Sequence, residues 1–111
     1  KSFHPFLLGL KAHGYHVAIY YFALSSSRLA QRRVKHRVAL GGHDVPADVI
    51  KRRFGRSLQN FFQLYAGVAD EWMVFDNSSG HTAQTVAHLT NGQQTIEDTA
   101  LWRKLQTLAR N

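Results

Sequence analysis

The sequence predicts an α/β domain, and three observations carry that prediction. His16 to Leu24 (HVAIYYFAL) is an unbroken apolar run rich in β-branched and aromatic residues. A strand buried on both faces reads this way, as in a parallel sheet. Two following stretches, residues 28–40 and 46–65, repeat apolar residues at helical spacing. A second short apolar run, Trp72-Met73-Val74-Phe75, comes next.

Composition fits one small domain. The chain has 111 residues, 44% of them hydrophobic and 19% charged, with 2 Pro and 8 Gly. That is globular rather than disordered or fibrous. No apolar run approaches the ~20 residues of a membrane-spanning helix, so no membrane partner is expected. The absence of cysteine excludes disulfides, thiol catalysis and thiolate metal sites. A cytoplasmic location is compatible with that and is the expected one.

The elements follow in order. Residues 5–13 read as a short helix, with Pro5 in its first turn and Gly14 at its end. With the apolar strand, this makes residues 1–27 the first part of the domain. Ser25-Ser26-Ser27 offers helix caps. In the helix from about Arg28 to Leu40, Ala30, Val34 and Val38 share one face at about 200°, 240° and 280° from Arg28, a core-facing stripe. Arg28, Arg32 and Lys35 lie opposite and should face water. Arg33 and Arg37, at about 140° and 180°, border the apolar stripe. Gly41-Gly42 ends the helix, and Pro46 opens the next, with Asp48 in its first turn. There Ile50, Phe54, Leu58, Phe61 and Tyr65 form a clear apolar stripe with Arg53 and Arg56 on its flank. Gly55 can loosen that helix. Residues 28–66 therefore form a helical hairpin. Residues 67–111 supply the Trp72–Phe75 strand, an antiparallel edge strand from Thr82 to Leu89, a turn at Asn91-Gly92, and an amphipathic helix from Thr99 to Ala109.

The charge is concentrated. The formal net charge is +7, and residues 28–56 alone hold nine bases against two acids. Such a block attracts an anion: phosphate, nucleotide, nucleic acid or acidic lipid. A solvated helix face is the plainer alternative.

The run Arg33-Val34, Arg37-Val38, Gly41-Gly42-His43-Asp44-Val45-Pro46, Ile50, Arg52-Arg53-Phe54, Arg56-Ser57-Leu58, Asn60-Phe61, Leu64-Tyr65, Ala69-Asp70, Trp72, Phe75-Asp76-Asn77-Ser78 resembles the C-terminal half of zeta-toxin-family P-loop kinases. The resemblance covers about residues 7–78, and its most specific part is GGHDVP followed by I-x-R-R-F-x-R-S. It departs from the family at Gly55, where proline is expected. The larger departure is the phosphate-binding loop, G-x-x-x-x-G-K-[ST]: this chain contains no Gly-Lys dipeptide.

The resemblance implies the C-terminal portion of a P-loop kinase fold, a three-layer sheet with the hairpin as lid and a terminal antiparallel strand pair. It implies an ATP-dependent phosphotransferase acting on a small-molecule acceptor, a UDP-amino sugar in zeta toxins proper. ATP and Mg²⁺ are the implied cofactors. With Lys1 at the start and the loop missing, the chain reads as the C-terminal part of a longer protein, inactive alone. Its expected partners are the missing N-terminal half, or a second copy met through the exposed edge of the His16–Leu24 strand, and an antitoxin.

Arg33, Arg37, Arg53 and Arg56 are the candidates for binding ATP phosphates, because forked guanidinium donors match phosphoryl oxygens. The alternative is that they pair with Asp44, Asp48 or Asp70. Asp76 and Asn77, at a strand end, can meet the adenine or ribose, or can simply build a tight turn. His13 and His16 are spaced like a metal pair but straddle a helix end, and no third ligand is evident. His43 is expected to fix the turn. Tyr15, Tyr20, Tyr21, Phe22, Phe61, Phe62 and Trp72 are expected in the core. That leaves no base-stacking platform for the competing reading, a basic nucleic-acid-binding module. A further alternative is an oligomerisation or antitoxin-contact module without enzymatic activity.

Overall fold

The computed structural model describes residues 3–110; Lys1, counted above among the bases, lies outside them. The elements are α1 (Phe3–Ala12), β1 (Ala18–Ala23), α2 (Ser27–Ala39), α3 (Ala47–Asn60), a π-helical turn (Phe61–Tyr65), α4 (Ala66–Val68), β2 (Glu71–Asp76), β3 (Gln84–Thr90), β4 (Gln93–Ile96) and α5 (Thr99–Arg110). The fold is α/β, with a four-stranded mixed sheet in the order β1-β2-β3-β4. β1 and β2 run parallel, and β2-β3-β4 is an antiparallel meander. No helix among the described residues is long and apolar enough to cross a membrane.

One face of the sheet carries the core. Trp72 and Val74 of β2 and Ala87 of β3 are buried against Leu58 of α3, Phe61 of the π-helical turn, and Trp102 and Leu105 of α5. Trp72 and Trp102 stack at 5.4 Å, and Phe61 meets Tyr21, Phe62 and Trp72. The β2–β3 register shifts after Val74, so Val86 is an extra residue. It is fully buried, and its carbonyl accepts the N–H groups of Glu97 and Asp98, which aims α5 back across the sheet.

The opposite face is bare, so the described residues form two layers rather than the expected three. There Ala18, Tyr20 and Phe22 are exposed, and Met73 and Phe75 are half-buried. β1 is therefore not buried on both faces. It alternates, with Ile19, Tyr21 and Ala23 turned to the core, and among the described residues it is an edge strand. Tyr15, Tyr20 and Phe22, expected in the core, are 63%, 58% and 57% exposed. Tyr21, Phe61, Phe62 and Trp72 do join the core or pack on it. One further correction concerns β3. It is interior rather than an edge, because β4 pairs on its far side. The Asn91-Gly92 turn, both residues at positive φ (54° and 75°), makes that last hairpin.

Gly55 does not loosen α3, which runs unbroken to Asn60. The irregularity comes six residues later, where the π-helical turn carries the chain from α3 into α4.

Asp70 joins the entrances of the two parallel strands. Its carboxylate accepts the Val17 N–H at 2.7 Å and the Lys11 ammonium at 3.0 Å, with His16 at 3.9 Å. The Val17 hydrogen bond, then Lys11, holds the Asp70 carboxyl below the ordinary carboxylate range. A group with a lowered folded-state pKa binds fewer protons when folded, so it stabilises above its unfolded pKa. The Asp70 contribution should be complete at neutral pH and fade as pH falls below about 4. Urea melts of the wild-type chain and Asp70→Asn should differ at pH 7, and the difference should shrink as pH falls below about 4.

Candidate functional site

α2 follows the C-terminal end of β1 and packs on α3, whose C-terminal half lies over the core face of the sheet beside β1. Ser26 caps α2 by accepting the Leu29 N–H at 3.2 Å. The Ala30–Val34–Val38 stripe does not enter the core: no residue of α2 is buried. Ala30 and Val34 instead line an open cleft of about 1070 Å³ between the two helices and the end of β1. Phe22, Leu24, Val45, Ile50 and Phe54 complete its apolar wall.

The cleft is cationic. Arg32, Arg33, Arg37, Arg53 and His36 line it, and no Asp or Glu does. Among the described residues, the guanidinium groups of Arg37, Arg53 and Arg56 have neither a hydrogen-bond nor an ion-pair partner. The pairing with Asp44, Asp48 or Asp70 weighed above is not found. Asp44 accepts its neighbour's N–H at Val45, and Asp70 is taken by Lys11 and Val17.

The four candidate arginines do not share one role. Arg37 and Arg53 reach the cleft from opposite helices with free guanidinium groups. Arg33 lines the cleft too, but one of its terminal nitrogens donates to the carbonyls of Asn77 and Ser78, the latter at 3.0 Å. It anchors α2 to the β2–β3 loop, as does the Ser25 N–H bonded to Ser78 Oγ at 2.9 Å. Arg56 is turned aside. With Arg53, Ile19, Ser57 and Asn60 it lines a second depression of about 340 Å³ beside β1.

Asp76 and Asn77 separate as well. Asp76 accepts the Ser78 N–H at 3.0 Å, an Asx turn, and does not line the cleft. Asn77 lines the cleft, and its N–H donates to the Ala23 carbonyl at 2.8 Å. At the floor, the Tyr21 hydroxyl lies 2.8 Å from Ser57 Oγ, joining β1 to α3. Burial pushes the Tyr21 phenol above its ordinary pKa, so it stays protonated.

The Gly41-Gly42 pair sets the backbone beside Arg37. Gly41 has φ +100° and donates to Val38, and Gly42 donates to the Arg37 carbonyl at 2.8 Å. A Cβ on Gly42 would sit 2.9 Å from that carbonyl oxygen. Gly41→Ala should cost about 1–2 kcal/mol in a urea melt, through the left-handed φ. Gly42→Ala should move the end of α2 and the Arg37 side chain with it.

The histidines find separate partners. His13 bonds the Gly9 carbonyl at 2.9 Å, and His16 lies 3.5 Å from Glu71. No group of three or more His, Asp or Glu that could hold a metal occurs among the described residues. A Mg²⁺ site needs oxygen ligands. The cleft lining has no carboxylate, so it fits phosphate oxygens and not the metal.

Sequence reasoning missed Phe22 as part of this wall. The unbroken apolar run HVAIYYFAL holds no sequence signal that could have found it. The chain matches no protein-family model, no curated protein and no solved structure.

Proposed function

We propose that the α2–α3 hairpin clasps the phosphates of ATP and is the lid of a phosphotransferase of the zeta-toxin type, acting in the cytoplasm on a small-molecule acceptor. The observation that carries this reading is the cleft at the C-terminal end of a parallel strand, lined by cationic side chains and by no acid. Ligands of open α/β sheets bind at such strand ends. Arg37 and Arg53 supply the phosphate contacts from facing helices. Arg33 holds the wall, and the apolar side chains of Phe22, Leu24 and Phe54 offer a surface to the nucleoside. The phosphate loop and Mg²⁺ ligands come from a segment or chain outside these residues, since the sequence has no Gly-Lys dipeptide. These residues alone therefore bind the triphosphate without transferring it. An antitoxin would act by covering the same cleft.

A basic nucleic-acid-binding module is the second reading, and one observation favours it. Phe22 is exposed in the cleft and Tyr20 is exposed beside it on β1, so an aromatic platform adjoins the arginines after all.

Competition binding separates the two. ATP should bind at one equivalent, and adenosine should not compete. Random single-stranded DNA should bind only weakly and be lost as salt rises. Oligonucleotide binding that survives 0.2 M salt and is lost in Phe22→Ala, with no binding of ATP, would decide for the second reading.

A further inference from the structure

β1 is hydrogen-bonded on one side only. The Val17 carbonyl accepts from Asp70 and Glu71, and the Ala23 carbonyl accepts from Asn77. The odd-numbered residues of this strand thus point their backbone groups toward β2. Alternation turns the N–H and C=O of Ala18, Tyr20 and Phe22 outward. Natural sheet edges are blunted by a charge, a proline or a bulge. Ala18–Ala23 (AIYYFA) has no charge and no proline, and it pairs with β2 without a register shift.

We propose that this edge pairs with the same edge of a second copy, antiparallel, about a two-fold axis at Tyr20. Every outward N–H and C=O of Ala18, Tyr20 and Phe22 then finds a partner. The side chains fit that register. Tyr20 opposes the partner's Tyr20, and the small Ala18 opposes the large Phe22 in both directions. All of them lie on the bare face, where Phe22 already stacks on Phe75 at 4.9 Å. The fit favours a second copy over an unrelated strand, because the residue pattern is complementary to its own reversal. Charge does not oppose it: the +7 excess sits in residues 28–56, and the flanking His16 would face Leu24 of the partner subunit. The pairing uses backbone groups of β1 and neither Arg37 nor Arg53, and it shares only Phe22 with the cleft wall.

The chain has no cysteine, so single cysteines report the register directly. Sedimentation of the full 111-residue chain should show a dimer. Oxidised Tyr20→Cys should crosslink to itself, because opposed residues of such a pair lie about 5.5 Å apart at Cα, within disulfide range. Ala18→Cys mixed with Phe22→Cys should crosslink, whereas Phe22→Cys alone should not, its two copies lying about 13 Å apart along the strand. Tyr20→Lys places like charges on the axis and should weaken the dimer roughly tenfold or more, with circular dichroism unchanged because the residue is exposed. A monomer at high concentration would overturn the proposal. So would a dimer in which Tyr20→Cys stays reduced while Phe22→Cys crosslinks with itself.

Discussion

Phe61→Ala is expected to remove about 3–5 kcal/mol of folding stability, the largest effect of any single substitution considered. The side chain is 1% exposed and sits where α3 passes into the π-helical turn. Its ring stacks on Tyr21 at 5.1 Å and meets Phe62 and Trp72 edge-on at 5.3 and 5.6 Å. It therefore joins the helical hairpin to both parallel strands at once. Truncation leaves a cavity between surfaces that the sheet keeps apart, so collapse cannot recover the lost contacts. Domains of this size are stable by only about 5–15 kcal/mol. Urea unfolding followed by tryptophan fluorescence should show a large fall in midpoint, with partial unfolding already without denaturant. Phe61→Leu, which keeps most of the volume, should lose much less. A loss below about 1 kcal/mol for Phe61→Ala would mean that the hairpin is not held at this point.

Neutralising Arg37 and Arg53, the two unpaired candidate arginines that line the cleft, is the second large effect. Arg37→Gln and Arg53→Gln should each weaken ATP binding by about tenfold to a hundredfold, the value of a hydrogen bond to a charged group. Together they should abolish measurable binding. Both side chains are exposed and make no contact that holds the fold, so stability should change by under about 0.5 kcal/mol. Arg33→Gln should behave differently. It loses the bonds to the Asn77 and Ser78 carbonyls, so stability should fall along with affinity. Arg56→Gln should leave ATP affinity nearly unchanged, because Arg56 lines the smaller depression and not the cleft. Isothermal titration across these variants separates ligand contact from scaffolding.

Much of this arrangement was legible in the residues. The helices α2, α3 and α5 follow from their apolar spacing, whereas the parallel pairing of β1 with β2 was not read from the sequence. What escaped has physical causes. An apolar strand such as HVAIYYFAL reads alike whether one face is covered or two, because exposure depends on what packs there. β4 (Gln93–Ile96) is short, mostly polar and fully exposed, so no hydrophobic pattern announces it. The wheel placed Arg33 and Arg37 correctly at the border of an apolar stripe. It could not tell that the stripe faces a cleft, nor that Arg33 is claimed by two carbonyls from a loop over forty residues away. Asp76 shows the converse: the turn chemistry visible in Asp-Asn-Ser is what the side chain does.

Arginine Nε–Hε spectra recorded during an ATP titration test the clasp most directly. The Arg37 and Arg53 resonances should shift together and saturate at one equivalent, while Arg28 and Arg110, outside the cleft, stay still. Small uniform shifts across all the arginines, or shifts that never saturate, would show a diffuse cationic surface and contradict a built phosphate site.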